Sequence, residues 1–572
     1  MFSRSSATRT LVWLVCGLVL LSALPGQCQT EKYSLVRFWL DTPAAEAFLQ
    51  SRPDFDLVTW KPGVHADIVV RENDLRRLRE SGARLDILQD DLAAFYRSRL
   101  APDKSDDFGI FHNWPEAVAF LDSLNLAYPD VISAKWSLGT SIEGRDIWCI
   151  RVSDNPEVDE NEAEILFDGT HHARELMACE FPLMFAEYLG QQYYAGDPEV
   201  TWLLENREVY IVPVVNPDGY WYNDYGDMWR KNRRNNGSGC YGVDLNRNYT
   251  YEWDGPGSST DPCHDLYRGT MPGSEPETQA MMNFINSHEF ITRNSFHCYG
   301  NLTLYPWGYT TDHTPDHDIF VHMGQEMTKY NGYTPQVGYT LYPVNGGSLD
   351  WDYGADYEHT KIFGFVNEIG NSSDGFWATE ARRQPLFDEN IWPSIYLMRV
   401  SDAFLTVSDP VVLGGDGNGR LDPGENADLS LTLANQSIVA TVYDAAFTVC
   451  CDDPYIQLGN CTHTLGTMTP LATSDLTGSP LTVVVDPDCP VGRQVPLRVT
   501  ATHSGGSLEF PLSLTVGPPT VVFSDDLESG DGNWTLSGGW AVSAENPYAG
   551  SYGLSDSPGG NYPDNNTATA TL

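Results

Sequence analysis

The sequence predicts an α/β domain with a mixed, mostly parallel sheet flanked by helices, preceded by a small α+β unit and followed by all-β sandwich modules. Three observations predict it. Between about 108 and 407, apolar strand-like runs alternate with segments of helical period. Before that stretch, six short segments read in the order β-α-β-β-α-β. After about 408, apolar and polar residues alternate between turn residues with almost no helical period. Of the 572 residues, 41% are hydrophobic, which is ample apolar material for large cores and excludes a disordered or fibrous chain. Lys and Arg number 34 against 78 Asp and Glu, a formal net charge of −44. A field of that sign excludes general binding of nucleic acid or anionic membrane.

Taken in order, Arg4 and Arg9 precede the apolar run Leu11 to Leu24, with Pro25, Gly26 and Gln27 after it. That three-part pattern is a secretory signal over 1–29, and it predicts an extracellular protein. The run is too short to span a bilayer, and no later stretch is long enough. Tyr33–Leu40, Asp56–Trp60, Ala66–Val70 and Ala83–Gln89 read as strands, with Pro43–Gln50 and Glu72–Glu80 as helices, a ferredoxin-like order. The polar stretch Ala101–Asp107 reads as an exposed linker. Residues 30–107 are therefore expected to be a removable pro-segment, with a permanent accessory domain as the alternative.

Over 108–407, Ala163–Phe167, Glu208–Val215, Thr292–Phe296 and Ile362–Val366 read as apolar strands. Thr278–Ser287 reads as a helix, and so does Leu176–Leu189, with Leu176, Phe181, Met184, Phe185 and Leu189 at near-helical spacing. Chemistry is expected in the loops at the strands' carboxyl ends. Asp428–Leu433 and Leu481–Val485 alternate as strands of a β-sandwich over 409–517. Residues 519–572, rich in Gly, Ser, Asp and Asn, read as the start of a further β module that stops in mid-alternation, as in a fragment of a longer protein. In an oxidising compartment some cysteines should pair. Cys240 with Cys263 is the expected pair, because both lie in a Gly/Ser/Asn/Pro-rich excursion that a staple would order. Pairing among Cys450, Cys451, Cys461 and Cys489 stays open.

The strongest chemical signal is His171-His172-Ala173-Arg174-Glu175, just after the strand that ends at Phe167. A His and a Glu three apart at a strand-to-helix turn can face one point and offer zinc a nitrogen and a carboxylate. Alone, such a pair is more often a surface pair. His297, following the strand Thr292–Phe296, supplies a third ligand, and two His with one Glu is the composition of a catalytic zinc with an open position. Glu368 follows the strand Ile362–Val366 and brings a carboxylate to the same face, as a general base requires; a capped strand end is the alternative. Arg230 lies in the basic run Met228–Arg234, and Asp244-Leu245-Asn246-Arg247-Asn248 pairs a guanidinium with an amide, a good fork for a carboxylate.

These motifs, with Asn216–Gly219, Trp229–Lys231 and Gly346–Trp351, occur in the order seen in zinc metallocarboxypeptidases. The chain resembles their secreted A/B/T branch over about 108–407, including Trp136–Arg145. The resemblance implies the zinc carboxypeptidase fold and one Zn²⁺ held by His172, Glu175 and His297. It implies Glu368 as the general base and Arg230 as the group that stabilises the oxyanion. Asn246 and Arg247 would clamp the free C-terminal carboxylate of a peptide or protein substrate, Tyr342 would close over the bound residue, and Arg174 would line the substrate path. Asp244 matches the carboxylate that orients His172, and His171 is taken as structural. Leu349 and Gly308 favour an apolar or aromatic C-terminal residue over Arg or Lys, within a preference that can be broad. Asn367 departs from the more apolar residue expected before the base. Secreted members commonly carry an N-terminal domain that shields the cleft until it is cut, so the resemblance also implies a zymogen. A peptidase of peptidoglycan peptides, or a binding protein on an inactive scaffold, are the alternatives; the Asn246/Arg247 clamp and the intact ligand set speak against them. Downstream, Asp416, Asn418, Asp422 and Glu425 space oxygens as a Ca²⁺ loop would, and an Asp/Gly turn fits as well. The last module resembles jelly-roll modules appended to secreted peptidases. Trp534 and Trp540 in it would bind a surface or glycan, or fill its core.

Overall fold

The computed structural model describes residues 32–52, 54–99, 108–223, 228–476 and 478–518, with residue 527 and short stretches at 534–537, 540–543, 553–555 and 569–571. The expected signal at 1–29 and the linker at 101–107 lie outside the described residues. No described helix is long and apolar enough to cross a membrane. The chain divides into two compact units, the first ending at Asp402.

The first unit opens with β1 (Tyr33–Trp39), α1 (Pro43–Gln50), β2 (Asp56–Lys61), β3 (His65–Arg71), α2 (Glu72–Glu80) and β4 (Leu85–Gln89). The sheet order is β2-β3-β1-β4, antiparallel throughout. Alternate residues of β1 reach a core of Val36, Phe38, Leu49, Ile68 and Leu78. Thr42 starts α1 by accepting the Ala45 N–H, with Pro43 preset for the first turn. A short α3 (Leu92–Arg97) follows, capped by Asp91.

The α/β domain then runs α4 (Trp114–Ala127), β5 (Trp136–Thr140), β6 (Asp146–Val152), β7 (Ala163–Gly169), α5 (Leu176–Ala195), α6 (Pro198–Leu204), β8 (Arg207–Val212) and α7 (Pro217–Asn223). A small hairpin of β9 (Asn235–Gly237) and β10 (Cys240–Tyr241) precedes α8 (Pro276–Asn286), β11 (Phe290–His297) and β12 (Leu302–Tyr305). The domain closes with α9 (His317–Met327), β13 (Thr334–Val337), α10 (Ser348–Gly354), β14 (Phe363–Glu368) and α11 (Glu380–Val400). Its eight-stranded sheet has the order β13-β12-β14-β11-β7-β8-β6-β5. The central strands β14, β11, β7 and β8 are parallel, while β12 against β14, β6 against β8 and β5 against β6 are antiparallel. This is the mixed, mostly parallel sheet the alternation predicts. Central strands buried on both faces read as continuous apolar runs, which is why they were visible in sequence. Helix α5 runs past the expected Leu189 to Ala195, where Gly196 ends it at φ 74°. Its first half is buried all round, from Leu176 to Ala186. Cys240 and Cys263 form the expected disulfide.

The second unit begins at Ala403. Strand Leu405–Val407, counted with the α/β domain on sequence, pairs instead with Thr432–Asn435 of the following unit. The expected strand Asp428–Leu433 is two strands, Asn426–Ser430 and Thr432–Asn435, which enter different sheets. Their alternation feeds a core of Leu429, Leu433, Phe447, Val449, Val483 and Val499. Of the final module, the described residues form two short strand pairs, Thr535–Ser537 with Thr569–Thr571 and Ala541–Ser543 with Gly553–Ser555.

Candidate metal centre and substrate pocket

Three parallel strands end side by side and deliver the site. In register, Phe296 of β11 lies beside Gly169 of β7, and His297 lies beside Glu368 of β14. Beyond Gly169 the chain turns through Thr170, at φ 61°, and enters α5 after Glu175. Gly169 is required here, because a Cβ would collide with the carbonyl oxygen of Ala178 where α5 crosses the strand. That tight turn sets His172 and Glu175 at the sheet's carboxyl edge beside His297.

His172, Glu175 and His297 converge and are all buried. Nδ1 of His172 lies 2.9 Å from Oε1 of Glu175 and 3.0 Å from Nδ1 of His297, which is itself 3.0 Å from Oε2 of Glu175. Nε2 of His172 meets Oδ1 of Asp244 at 3.2 Å. If that contact takes the N–H of His172, a bare Nδ1 lone pair faces a carboxylate and a second imidazole nitrogen. A metal cation between them relieves that opposition, and two imidazoles with one carboxylate is a zinc donor set. Burial works against charge on Glu175, yet the two imidazoles hold its carboxyl well below the usual range. Burial pushes the Glu368 carboxyl up to about 7, with His297 opposing and Glu175 adding to the rise.

Asp244 has a second task. Its Oδ2 accepts Nε of Arg230 at 3.0 Å, so one carboxylate ties His172 and Arg230 together. Burial would raise this carboxyl, but Arg230 and then His172 hold it well below its ordinary value. Arg247 donates from Nε to the Gly257 carbonyl at 2.6 Å and from Nη1 to the Asn246 carbonyl at 2.8 Å. Oδ1 of Asn246 accepts the Ser348 N–H, which anchors the start of α10. A recess lies against these groups, lined by His172, Arg247, Tyr342, Leu349, Val366 and Glu368 among others. Leu304, Leu341, Leu349 and Val366 form its apolar cluster. Asp350 lies beneath it, but its two oxygens accept the Gly308 and Tyr309 N–H groups at 2.7 and 2.9 Å. A Cβ at Gly308 would stand 3.3 Å from that carboxylate, so glycine keeps the floor open.

The structure brings Arg174 to the site together with two groups that sequence reasoning missed. Nη2 of Arg174 donates to Oδ2 of Asp56 in β2 at 2.7 Å, and Nη1 of Arg230 lies 3.7 Å from Oδ1 of the same residue. The Arg174 guanidinium also sits 4.2 Å from the Phe376 ring centroid. No local signal marks Asp56, whose partner is 118 residues away. His171 turns away from the centre, with Nε2 2.9 Å from the Tyr249 hydroxyl and Nδ1 3.3 Å from Ser295 Oγ.

The calcium reading of Asp416, Asn418, Asp422 and Glu425 gains no support from the structure. Glu425 accepts the Asp416 and Asp422 N–H groups, and the Asn418 amide bridges Asp416 and Asp422. These bonds lie within the turn, and the carboxylates are not among the converging acidic groups of the described residues. They fit the Asp/Gly turn alternative.

A family model described as zinc carboxypeptidase matches residues 117–392. The chain is 34% identical over 292 residues to mast cell carboxypeptidase A of Homo sapiens, covering 49% of this chain and 68% of that protein. Among solved structures, thrombin activatable fibrinolysis inhibitor is similar with a TM-score of 0.55 and 25% identity, over 64% of this chain and 98% of that one. Carboxypeptidase A from Helicoverpa armigera shares the fold with a TM-score of 0.56 and 23% identity, over 65% and 98%.

Proposed function

The chain belongs to the zinc carboxypeptidase family and is a metallocarboxypeptidase, and from that premise we propose that it is secreted as a zymogen and, once cut, removes apolar C-terminal residues from peptides. The observation that carries the reading is the convergence of His172, Glu175, His297 and Glu368 at one end of a recess with Arg247 on its wall and Leu349 in its apolar lining. Zinc held by His172, Glu175 and His297 would supply Lewis-acid charge at the scissile carbonyl. Glu368 takes a proton from the attacking water and hands it to the leaving amine. Arg230, steadied by Asp244, offers its guanidinium to the oxyanion. Arg247 and Asn246 hold the substrate's free carboxylate, which makes the enzyme an exopeptidase. Tyr342, half-buried on the wall of the recess, covers the bound residue. The apolar cluster around Leu349 supports an apolar preference, and Asp350, spent on two backbone N–H groups, has little left for a basic side chain.

The zymogen reading is supported by what the N-terminal α+β unit touches. Asp56 engages Arg174 and Arg230, the groups a substrate would need. Arg99 donates to the carbonyls of Ser373, Asp374 and Trp377, and the Tyr96 hydroxyl accepts the Phe376 N–H, so the loop beside Arg174 is gripped as well. Secretion is supported by the signal-like N-terminus and by the Cys240–Cys263 disulfide.

The test is mass spectrometry of a mixed peptide pool incubated with protein cut near residue 107, with uncut protein, and with cut protein plus a zinc chelator. Single C-terminal residues should disappear, apolar ones fastest, and only with cut, unchelated protein. Zinc-loaded cut protein that left the pool intact but trimmed cell-wall peptides would transfer the reading to that substrate class.

A further inference from the structure

We propose that Asn390 and Tyr333 are positioning residues for the general base: they form a buried clasp that grips the chain on both sides of Glu368. The inference rests on the assignment of Glu368 given above. Glu368 is the last residue of β14, in register with His297 of β11 on one side and Leu302 of β12 on the other. On the sheet side the Ile369 N–H donates to the His297 carbonyl at 2.8 Å, and the Gly370 carbonyl accepts the Gly300 and Asn301 N–H groups at 2.7 and 2.8 Å. Side-chain support comes from behind the sheet.

On the upstream side, Asn367 alternates with Glu368 and points to the opposite face. Its Nδ2 donates to Oδ1 of Asn390 on α11 at 3.2 Å. Nδ2 of Asn390 donates in turn to the Tyr333 hydroxyl at 3.1 Å. On the downstream side, the Gly370 N–H donates to that same hydroxyl at 3.1 Å. One phenolic oxygen therefore joins the chain two residues past the base to the chain one residue before it. The hydroxyl spends its own proton on Oε2 of Glu389 at 3.2 Å. Glu389 continues through Arg382 to Asp374, whose Oδ2 accepts the Asn371 N–H at 3.0 Å. Helix α11 thus carries the chain on either side of the base.

The composition of the clasp argues for this role. Asn367 and Asn390 are fully buried between sheet and helix, a layer where Phe365 and Leu386 are also buried. Oδ1 of Asn367 has no hydrogen-bond partner among the described residues. A buried, unpartnered amide oxygen costs stability that an apolar side chain would not. Packing alone would favour the apolar residue expected at 367. An amide there makes sense where the position of residue 368 matters more than that cost, and a misplacement of about 1 Å in a catalytic group can cost on the order of 100-fold in rate.

Tyr333→Phe removes the hydroxyl and keeps the ring. In the zinc-loaded full chain, activated as the parent is, kcat should fall about tenfold, with KM and zinc content close to parental and Tm lowered, because the Gly370 N–H loses its acceptor. Asn390→Leu should do the same, and the double variant should be no worse than the larger single, because both cut one path. Parental kcat in Tyr333→Phe overturns the proposal, as does a fall in which KM and zinc content change together with kcat. Should Asn390→Leu fail to fold, Tyr333→Phe decides alone. Glu368→Gln separates the two layers of the argument. If it keeps parental kcat, the base assignment falls and the clasp with it; if it is inactive while Tyr333→Phe is fully active, only the clasp falls.

Discussion

At the centre of the site, Nδ1 of His172 faces a Glu175 carboxylate oxygen, and Asp244 shares its two oxygens between His172 and Arg230. Under the proposed roles, metal affinity and oxyanion stabilisation are linked through one buried carboxylate. The His172, Glu175 and His297 cluster and Glu368 beside it were legible because motif spacing carries them: His172 and Glu175 share one turn, and His297 and Glu368 each end an apolar strand. Asp56 was not legible, since its meaning lies in a partner on another element. Leu349 is a residue whose identity decides a property. Leu349→Asp places an unpaired carboxylate in the pocket wall, penalising apolar C-terminal residues and rewarding Lys or Arg. The ratio of kcat/KM for C-terminal Lys over Phe should rise by at least about tenfold, on the scale of one charge-assisted pair. An unchanged ratio would remove Leu349 from the specificity pocket.

Among the elements, β2 carries the contact on which the zymogen proposal turns. It brings Asp56 to Nη2 of Arg174, whose Nε and Nη1 have no hydrogen-bond partner among the described residues. Removing one partner from a buried ion pair costs about 3–5 kcal/mol. Asp56→Asn should therefore loosen the N-terminal unit while the linker is intact. Uncut Asp56→Asn should hydrolyse a small C-terminal peptide substrate measurably faster than uncut parent, and the cut forms should be equal. Equal rates for the uncut forms would show that β2 does not guard the site. The β-α-β-β-α-β order of this unit was readable from alternation and turn residues. Helices α4 and α11 were not assigned, and α11 carries Pro385 and Pro393 within a weakly amphipathic run. Packing behind the sheet, with Leu386, Phe387 and Leu397 buried, holds it as one helix.

Over the whole molecule, the net charge of −44 sets a long-range field. It should attract cationic peptides to a pocket with an apolar lining, so encounter and fit would favour different parts of a substrate. Substrates with internal Lys or Arg should lose kcat/KM as salt is raised from about 0.01 M to about 0.5 M, as the Debye length shrinks from roughly 30 Å to a few Å. Neutral peptides with the same C-terminal residue should change little. Equal salt dependence for both would place the field away from the entrance. The C-terminal unit has its own core of Leu429, Phe447, Val483 and Val499.

The class of the sheet, the His172, Glu175 and His297 cluster, the place of Glu368 beside it and the Cys240–Cys263 staple were legible in the sequence alone. Each is local or periodic: an apolar run, a turn, a short spacing, a cysteine pair in one excursion. The tertiary structure alone decided two things: that Asp56 lies on Arg174 and Arg230, and that Asn367, Asn390 and Tyr333 meet behind Glu368. These are pairings of single polar side chains, most of them between elements far apart in the chain. A hydrogen bond's worth depends on where its partner arrives, and only the packed layers bring the partners together.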